Sequence, residues 1–503
     1  MKDNCQDAQA NQDFAEEPKR KSFSTDVLTL VGGTTMAQII AVLAYPLITR
    51  LYGADAYGLA ALFSSIVGTI AVISCLRYEL AIMLPKTDKE AANLLASCIL
   101  IASIISLILG PILWLFGEHI VRTLNAPQLL PYLWLVPIMV FLTGTFTSIN
   151  YWNSRRRQFG RLSRAQIGRA VTTSGTQLGA GFTGYASGGS LIGANAMGQV
   201  VATLALACHA WRTDKWILKR SINRREMSNG LRKYQDFPKV DIWSALINTL
   251  SFQLPIILIT AYFSTTVVGY YSLGMMVLQL PMSFVGSAIS QVFFQRVAEA
   301  DCITEGNFRM VVEEVIAKLI IIGLCPLIIL FTIGEEIFSL VFGPNWATAG
   351  TYAQILSILI FFRFIYSPIS TLFTVKRKLK AFLFFNILLM SSNVSSLVWG
   401  GTHNDVRLGL GLLSILGGLL YLSSTAWILN NTHVSIRHIL TSTGQFIPIG
   451  IWILMVFIVI KYILHLDAMV LIICGVVCVL FYYSYLIAND TKLMSIVNRV
   501  FLK

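Results

Sequence analysis

Six ionisable residues interrupt or open apolar stretches of this chain and are the ones whose types and positions could do chemistry. Arg77, Glu79, Arg169 and Arg363 lie within apolar runs, while Asp26 and Asp241 stand at the start of two of them. A charged side chain at mid-membrane depth costs ~2.5–3.5 kcal/mol on insertion scales, so each needs a partner, water or a ligand. Arginine offers a planar fork that matches phosphate oxygens and does not lose its charge. Arginines facing a hydrated cavity, with Glu79 beside them, would receive an anionic group there. A structural reading stands beside this one: Arg77 and Arg169 lie near one end of their runs and can snorkel to headgroups. Arg363, in LIFFRFIYSP, lies mid-run and is harder to account for in that way. Asp26 and Asp241 either cap helix starts and favour the dipole or act as acids that couple transport to a proton or cation. Residues two apart on a continuous helix point about 200° apart, so the spacing predicts that Arg77 and Glu79 do not pair with each other.

The elements that must position these residues are membrane helices. The chain has 503 residues, of which 55% are hydrophobic and 13% charged, against roughly a quarter charged in soluble proteins. Its apolar runs reach the ~20 residues needed to cross a bilayer as helix. The alternating ten-residue pattern of a barrel strand is absent, so the expectation is an all-α polytopic membrane protein. About fourteen spans are predicted, including 57–84 for the stretch around Arg77, and 163–184 and 190–211, which are rich in Gly, Ser and Thr.

Alternating the connections between two sides leaves Arg50, Arg122, Arg407 and Lys461 on one side, and Arg169 and Arg363 within spans. The other 32 of the 38 Lys/Arg then fall together. By the positive-inside rule, both termini are expected in the cytoplasm. The organisation predicted is a cytoplasmic tail (1–23), a six-span lobe (24–211), a basic linker (212–236), a second six-span lobe (237–429), and two additional spans with a cytoplasmic C-terminus (430–503). The lobes look duplicated. LITRLYGADAYGLAAL at 47–62 aligns without gaps with LITAYFSTTVVGYYSL at 258–273, an offset of 211 that matches Gly58 with Gly269. GEHI at 117–120 echoes GEEI at 334–337, and each half has a basic cluster after its fourth span, Arg155–Arg157 and Lys376–Lys378. Six spans per half make the repeats parallel, and two parallel lobes around a central cavity are an alternating-access architecture.

Other classes of function are disfavoured. The net charge of +13 is parcelled between apolar segments as topology signals, with anionic membrane lipids as partners, so no nucleic-acid binding is expected. The eight cysteines show no metal-ligand spacing with histidine; neither a metal nor a cofactor is predicted, and Cys474 and Cys478 read as packing residues. Residues 1–22 place acids before the basic cluster Lys19–Lys21, unlike a signal peptide. Outward loops are short, the longest at 335–350, and carry no catalytic cluster. Gly175 with Gly179, and Gly189 with Gly193, are spaced for close helix approach. Pro255 and Pro281 read either as bending points or as static kinks.

Four stretches, YGLAALFSSIVG, LRYELAIMLPKTDKEAANLLA, QLPIILITAYFSTTVVGYYSLGMMVLQLPMSFVGSAISQVFFQRVAE and FGPNWATAGTYAQIL, resemble the Wzx-type polysaccharide and oligosaccharide-lipid flippases. The likeness runs from about residue 24 to 429. These belong to the multidrug/oligosaccharidyl-lipid/polysaccharide exporter superfamily. The resemblance implies two six-helix lobes around a cavity and, as substrate, an undecaprenyl-pyrophosphate-linked oligosaccharide for O-antigen, capsule or exopolysaccharide. It also implies a bacterial inner-membrane location and, as partners, a polysaccharide polymerase and a chain-length regulator. The alternatives are a drug/cation antiporter or lipid II flippase of the same superfamily, and a membrane polymerase or ligase. Drug antiporters would be expected to place acids inside the lobes, where this chain is richer in arginine.

Overall fold

The computed structural model describes residues 23–283, 305–376, 378–444, 446–463 and 467–489. The expected tail lies outside them except for Phe23, which begins the first helix. Among the described residues there is no β-strand, and eleven helices are long and apolar enough to cross a membrane.

The N-terminal half contains α1 (Phe23–Leu51), α2 (Ala54–Ala71), the short α3 (Tyr78–Ala81), α4 (Asp88–Thr123), α5 (Leu135–Arg155), α6 (Phe159–Phe182) and α7 (Gly188–Ser221). The polar α6 is too hydrophilic to qualify as a span by hydropathy, yet it is a 24-residue helix packed between α1 and α7. α7 does not stop at the expected lobe boundary but runs on to Ser221. There Asn93 donates to the Ser221 carbonyl (2.8 Å) and accepts from the backbone of Asn223 (2.9 Å). α8 (Arg224–Lys233) follows, then a π-helical turn (Phe237–Asp241).

The C-terminal half contains α9 (Ile242–Tyr262), α10 (Thr265–Pro281), α11 (Glu305–Phe342), α12 (Ala347–Ile369), α13 (Thr371–Val375), α14 (Leu379–Thr402) and α15 (Val406–Asn431) around one continuous core. The expected 335–350 loop is mostly helix: α11 continues to Phe342, and Gly343 at φ 108° turns the chain into a 3-10 turn, Pro344–Trp346. Glycine suits that backbone because it lacks the Cβ that makes such angles strained. After α16 (Ile436–Thr443), helices α17 (Ile447–Ile458) and α18 (Ala468–Asn489) pack on α11 in a separate cluster that includes Cys474 and Cys478. α11 is bent at Ile333, and Lys461 bridges the bend by pairing with Glu336 (2.8 Å) and donating to the Thr332 carbonyl (3.0 Å).

The two halves meet through repeat-related surfaces. A Cβ built on Gly58 of α2 would overlap the Thr265 carbonyl, and one on Gly269 of α10 would overlap the Ala54 carbonyl. With the offset of 211, Ala54 corresponds to Thr265 and Gly58 to Gly269, so the contact is reciprocal, as a two-fold relation between parallel repeats requires. Glycine spacing elsewhere misleads. Gly175, Gly179 and Gly193 face open space, Gly189 is approached closely by the Tyr132 ring rather than by a helix backbone, and α6 approaches α7 instead at Gly198, where a Cβ would overlap the Thr173 side chain.

Candidate functional site

Between the halves lies a cavity of about 660 Å³, within the range of small-molecule sites. Helices α1, α2, α6 and α7 line one side and α9, α10, α12, α14 and α15 the other. It crosses the lobe boundary: the Ser65 hydroxyl donates to the Gln253 carbonyl (3.1 Å), and the Tyr57 hydroxyl reaches the Met276 sulfur (3.6 Å).

Arg363 of α12 is the charged residue of this lining among the described residues. Its guanidinium lies 4.2 Å from the ring centroid of Phe252 on α9, and it has no ion pair among the described residues. Stacking on a ring face holds the fork in place without using its N–H donors. Around it the wall is neutral and rich in hydrogen-bonding groups, including Gln177, Asn195, Gln253, Gln279, Asn386 and Asn393. Asn386 and Asn393 are two turns apart and share a face of α14; the latter donates to the Ser251 carbonyl (3.1 Å). Tyr45, Tyr57, Tyr271 and Tyr421 add flat apolar surfaces with polar edges. The arrangement can hold an anion on one arginine and a neutral, hydroxyl-rich group on amides and rings.

The other expected residues are placed differently. Arg169 on α6 is half-buried, outside the cavity lining, and has no hydrogen bond or ion pair among the described residues. Asp26 lies in the first turn of α1, and its side chain is outside the described set. Arg77 and Glu79 do not lie on a continuous second span. α2 ends at Ala71, the chain turns through 72–77, and Leu76 and Arg77 adopt φ 49° and 65° before the one-turn α3. The expectation that these two residues cannot pair is therefore wrong: Arg77 Nη1 lies 3.5 Å from Glu79 Oε1. The 200° separation applies only where the helix continues.

The structure also joins two residues that the sequence kept apart. Arg77 Nε donates to Asp241 Oδ2 at 2.7 Å, linking the end of the α2 connection to the start of α9. Glu79 is 6% exposed, and its Oε2 has no hydrogen-bond partner. Burial pushes its carboxyl above the ordinary range, opposed by Arg77 and reinforced by the Asp241 charge.

Sequence reasoning missed the amide wall and Phe252. Each Asn or Gln is unremarkable singly. The available signal was their recurrence inside apolar helices, where polar side chains turn toward protein or water rather than lipid.

A family model described as polysaccharide biosynthesis protein matches residues 47–351. Among solved structures, the lipid II flippase MurJ in an inward closed conformation superposes with TM-score 0.71 at 13% identity, covering 91% of this chain and 99% of that one. An inward-facing multidrug resistance MATE family transporter of the MOP superfamily gives TM-score 0.64 at 13% identity, covering 79% and 94%. An outward-facing member of the same description gives TM-score 0.53 at 13% identity, covering 81% and 95%. No curated protein sequence matches.

Proposed function

Since the chain belongs to the polysaccharide biosynthesis protein family, we propose that it is a flippase for undecaprenyl-pyrophosphate-linked oligosaccharides. It would move repeat units from the cytoplasmic to the periplasmic leaflet of the bacterial inner membrane for O-antigen, capsule or exopolysaccharide assembly. The single observation that carries this reading is the cavity between the halves. Among the described residues its one arginine, Arg363, is stacked on Phe252 with no carboxylate to neutralise it, amid amides, hydroxyls and tyrosines. An uncompensated cation in a low-dielectric cleft favours an anionic guest, here an oxygen of the pyrophosphate, while the amide wall accommodates sugar hydroxyls. The polyprenyl tail stays in lipid between the halves. The cavity opens alternately to each side as the halves rock, and the end carrying most of the Lys/Arg faces the cytoplasm. The activity is transport rather than catalysis, and a polymerase and chain-length regulator would act on the delivered units.

The test is Arg363→Ala in cells lacking the native copy. Losing a charge-assisted contact worth about 1.5–3 kcal/mol should cut surface polysaccharide on the order of tenfold or more at unchanged protein level, with lipid-linked oligosaccharide accumulating. Wild-type polysaccharide from this variant would overturn the assignment of Arg363. Rescue of a strain deficient in lipid II translocation, without restored polysaccharide, would move the substrate to lipid II. A drug/cation antiporter is less well supported, because the cavity lining contains no Asp or Glu among the described residues.

A further inference from the structure

The passage from one half to the other is unusual in its backbone. α8 and the residues after it are tied to the N-terminal half. The Tyr78 hydroxyl donates to the Leu231 carbonyl (3.0 Å), Lys233 pairs with Glu90 (2.6 Å), and Phe237 packs on an N-terminal core cluster. The π-helical turn Phe237–Asp241 then leads into α9, and such π turns are frequent at functional sites. Opposite the last residue of that turn stands Arg77, in a left-handed conformation directly after another at Leu76. Left-handed non-glycine residues are uncommon, and strain of this kind persists only where the surroundings hold it.

Here that backbone aims one arginine at two acids belonging to different halves. Asp241, at the start of α9, is engaged at 2.7 Å, while Glu79, on the N-terminal side, is reached at only 3.5 Å. Glu79 is nevertheless the more buried acid, and its Oε2 lacks any hydrogen-bond partner. A buried carboxylate oxygen ordinarily has a partner. This one has a guanidinium close by that is committed elsewhere.

We propose that Arg77 is a two-position clamp on the hinge between the halves. With the basic end closed, its guanidinium holds Asp241 and pins the start of α9 to the N-terminal half; with that end open, it transfers to Glu79 and satisfies the oxygen left free. The two acids compete for one cation, so removing them has opposite effects on the conformational equilibrium. A purely structural ion-pair network would be loosened by the loss of either. The clamp governs access rather than recognition, so it can be tested whatever molecule is transported.

Spin labels on noncanonical amino acids at Lys86 and Lys380, exposed positions on the two halves, would report the opening of the basic end. The measurement is a double electron–electron resonance distance on the full chain in lipid nanodiscs. Asp241→Asn should increase the long-distance population about two- to fivefold, the range for a partly exposed ion pair. Glu79→Gln should increase the short-distance population by a similar factor, and Asp241→Glu should retain the wild-type distribution. Shifts in the same direction for D241N and E79Q, or no shift in either, overturn the clamp. Should D241N fail to fold, the deciding pair is R77Q with and without E79Q. The clamp requires that E79Q add nothing once Arg77 is gone, and an additive effect refutes it.

Discussion

The two ends of the interface between the halves are bridged by different chemistry. At the end away from the basic linker, the seal is mostly backbone and ring. Gly58 and Gly269 bring α2 and α10 into contact, the Thr265 hydroxyl donates to Asp55, and Asn125 donates to the Ala261 carbonyl (2.7 Å). Arg50 donates to the Leu340 carbonyl (3.0 Å). Trp346, 1% exposed, donates to the Thr49 carbonyl (2.8 Å) and sits edge-on to Tyr57 and Tyr270. At the basic end, Arg77 and Asp241 meet with side chains 26% and 40% exposed. Breaking the first seal strips packed surface and buried hydrogen bonds at once, whereas the ion pair exchanges its partners for water at modest cost. The difference teaches that this interface is built to yield first at the basic end, the end that the proposed function turns toward the cytoplasm.

The largest break in that contrast should come from Trp346→Ala. Removing a fully buried tryptophan costs about 3–5 kcal/mol, so the unfolding midpoint should fall sharply and Thr49 should become accessible to water-soluble reagents. Trp346→Phe keeps most of the ring contacts but leaves the buried Thr49 carbonyl without its donor, so it should cost less, about 1–3 kcal/mol. Equal losses for both variants would show that the seal does not depend on packing. Next in size is Gly58→Ala. Its methyl meets a carbonyl that belongs to backbone and cannot rotate away, an overpacking of about 1–3 kcal/mol. Because Gly58 and Gly269 serve one crossing, the double variant should cost less than the sum of the singles. Strict additivity in thermal unfolding would separate the two sites.

The far seal was partly legible in the sequence and the basic-end clamp was not. Duplication leaves matched residues at a constant offset, so the sequence matches Gly58 with Gly269, and Arg363 stood out by lying mid-run. The pairing of Arg77 with Glu79 was misread because residues 72–77, VISCLR, contain no Gly, Pro, Asn or Asp to announce a break. Tertiary contacts impose the turn there, through Asp241 and Leu231, residues more than 150 positions away. The close approach expected at Gly175 and Gly179 failed for the complementary reason: spacing marks where a helix could pack but not which neighbour arrives. The amide wall needed the fold, since its members come from helices far apart in the chain.

The smallest effect is the one that sharpens the comparison most, because it acts on the clamp alone. Glu79 faces Arg77, Asp241, Tyr151 of α5, Cys75 and Cys98 of α4. Burial raises its carboxyl above the ordinary glutamate range in the arrangement seen here, with Arg77 on Asp241. Opening, by delivering Arg77 to it, would lower that value. The state with the higher pKa binds the proton more tightly, so acidification favours closure, and the preference fades as pH rises through the closed-state value. Between the ordinary glutamate range and that raised value, lowering the pH should therefore shift the Lys86–Lys380 distances toward the short population. The shift should follow the direction of E79Q at neutral pH and be absent in E79Q itself. A pH response that survives in E79Q would assign the titration to another group and leave Glu79 as a packing residue.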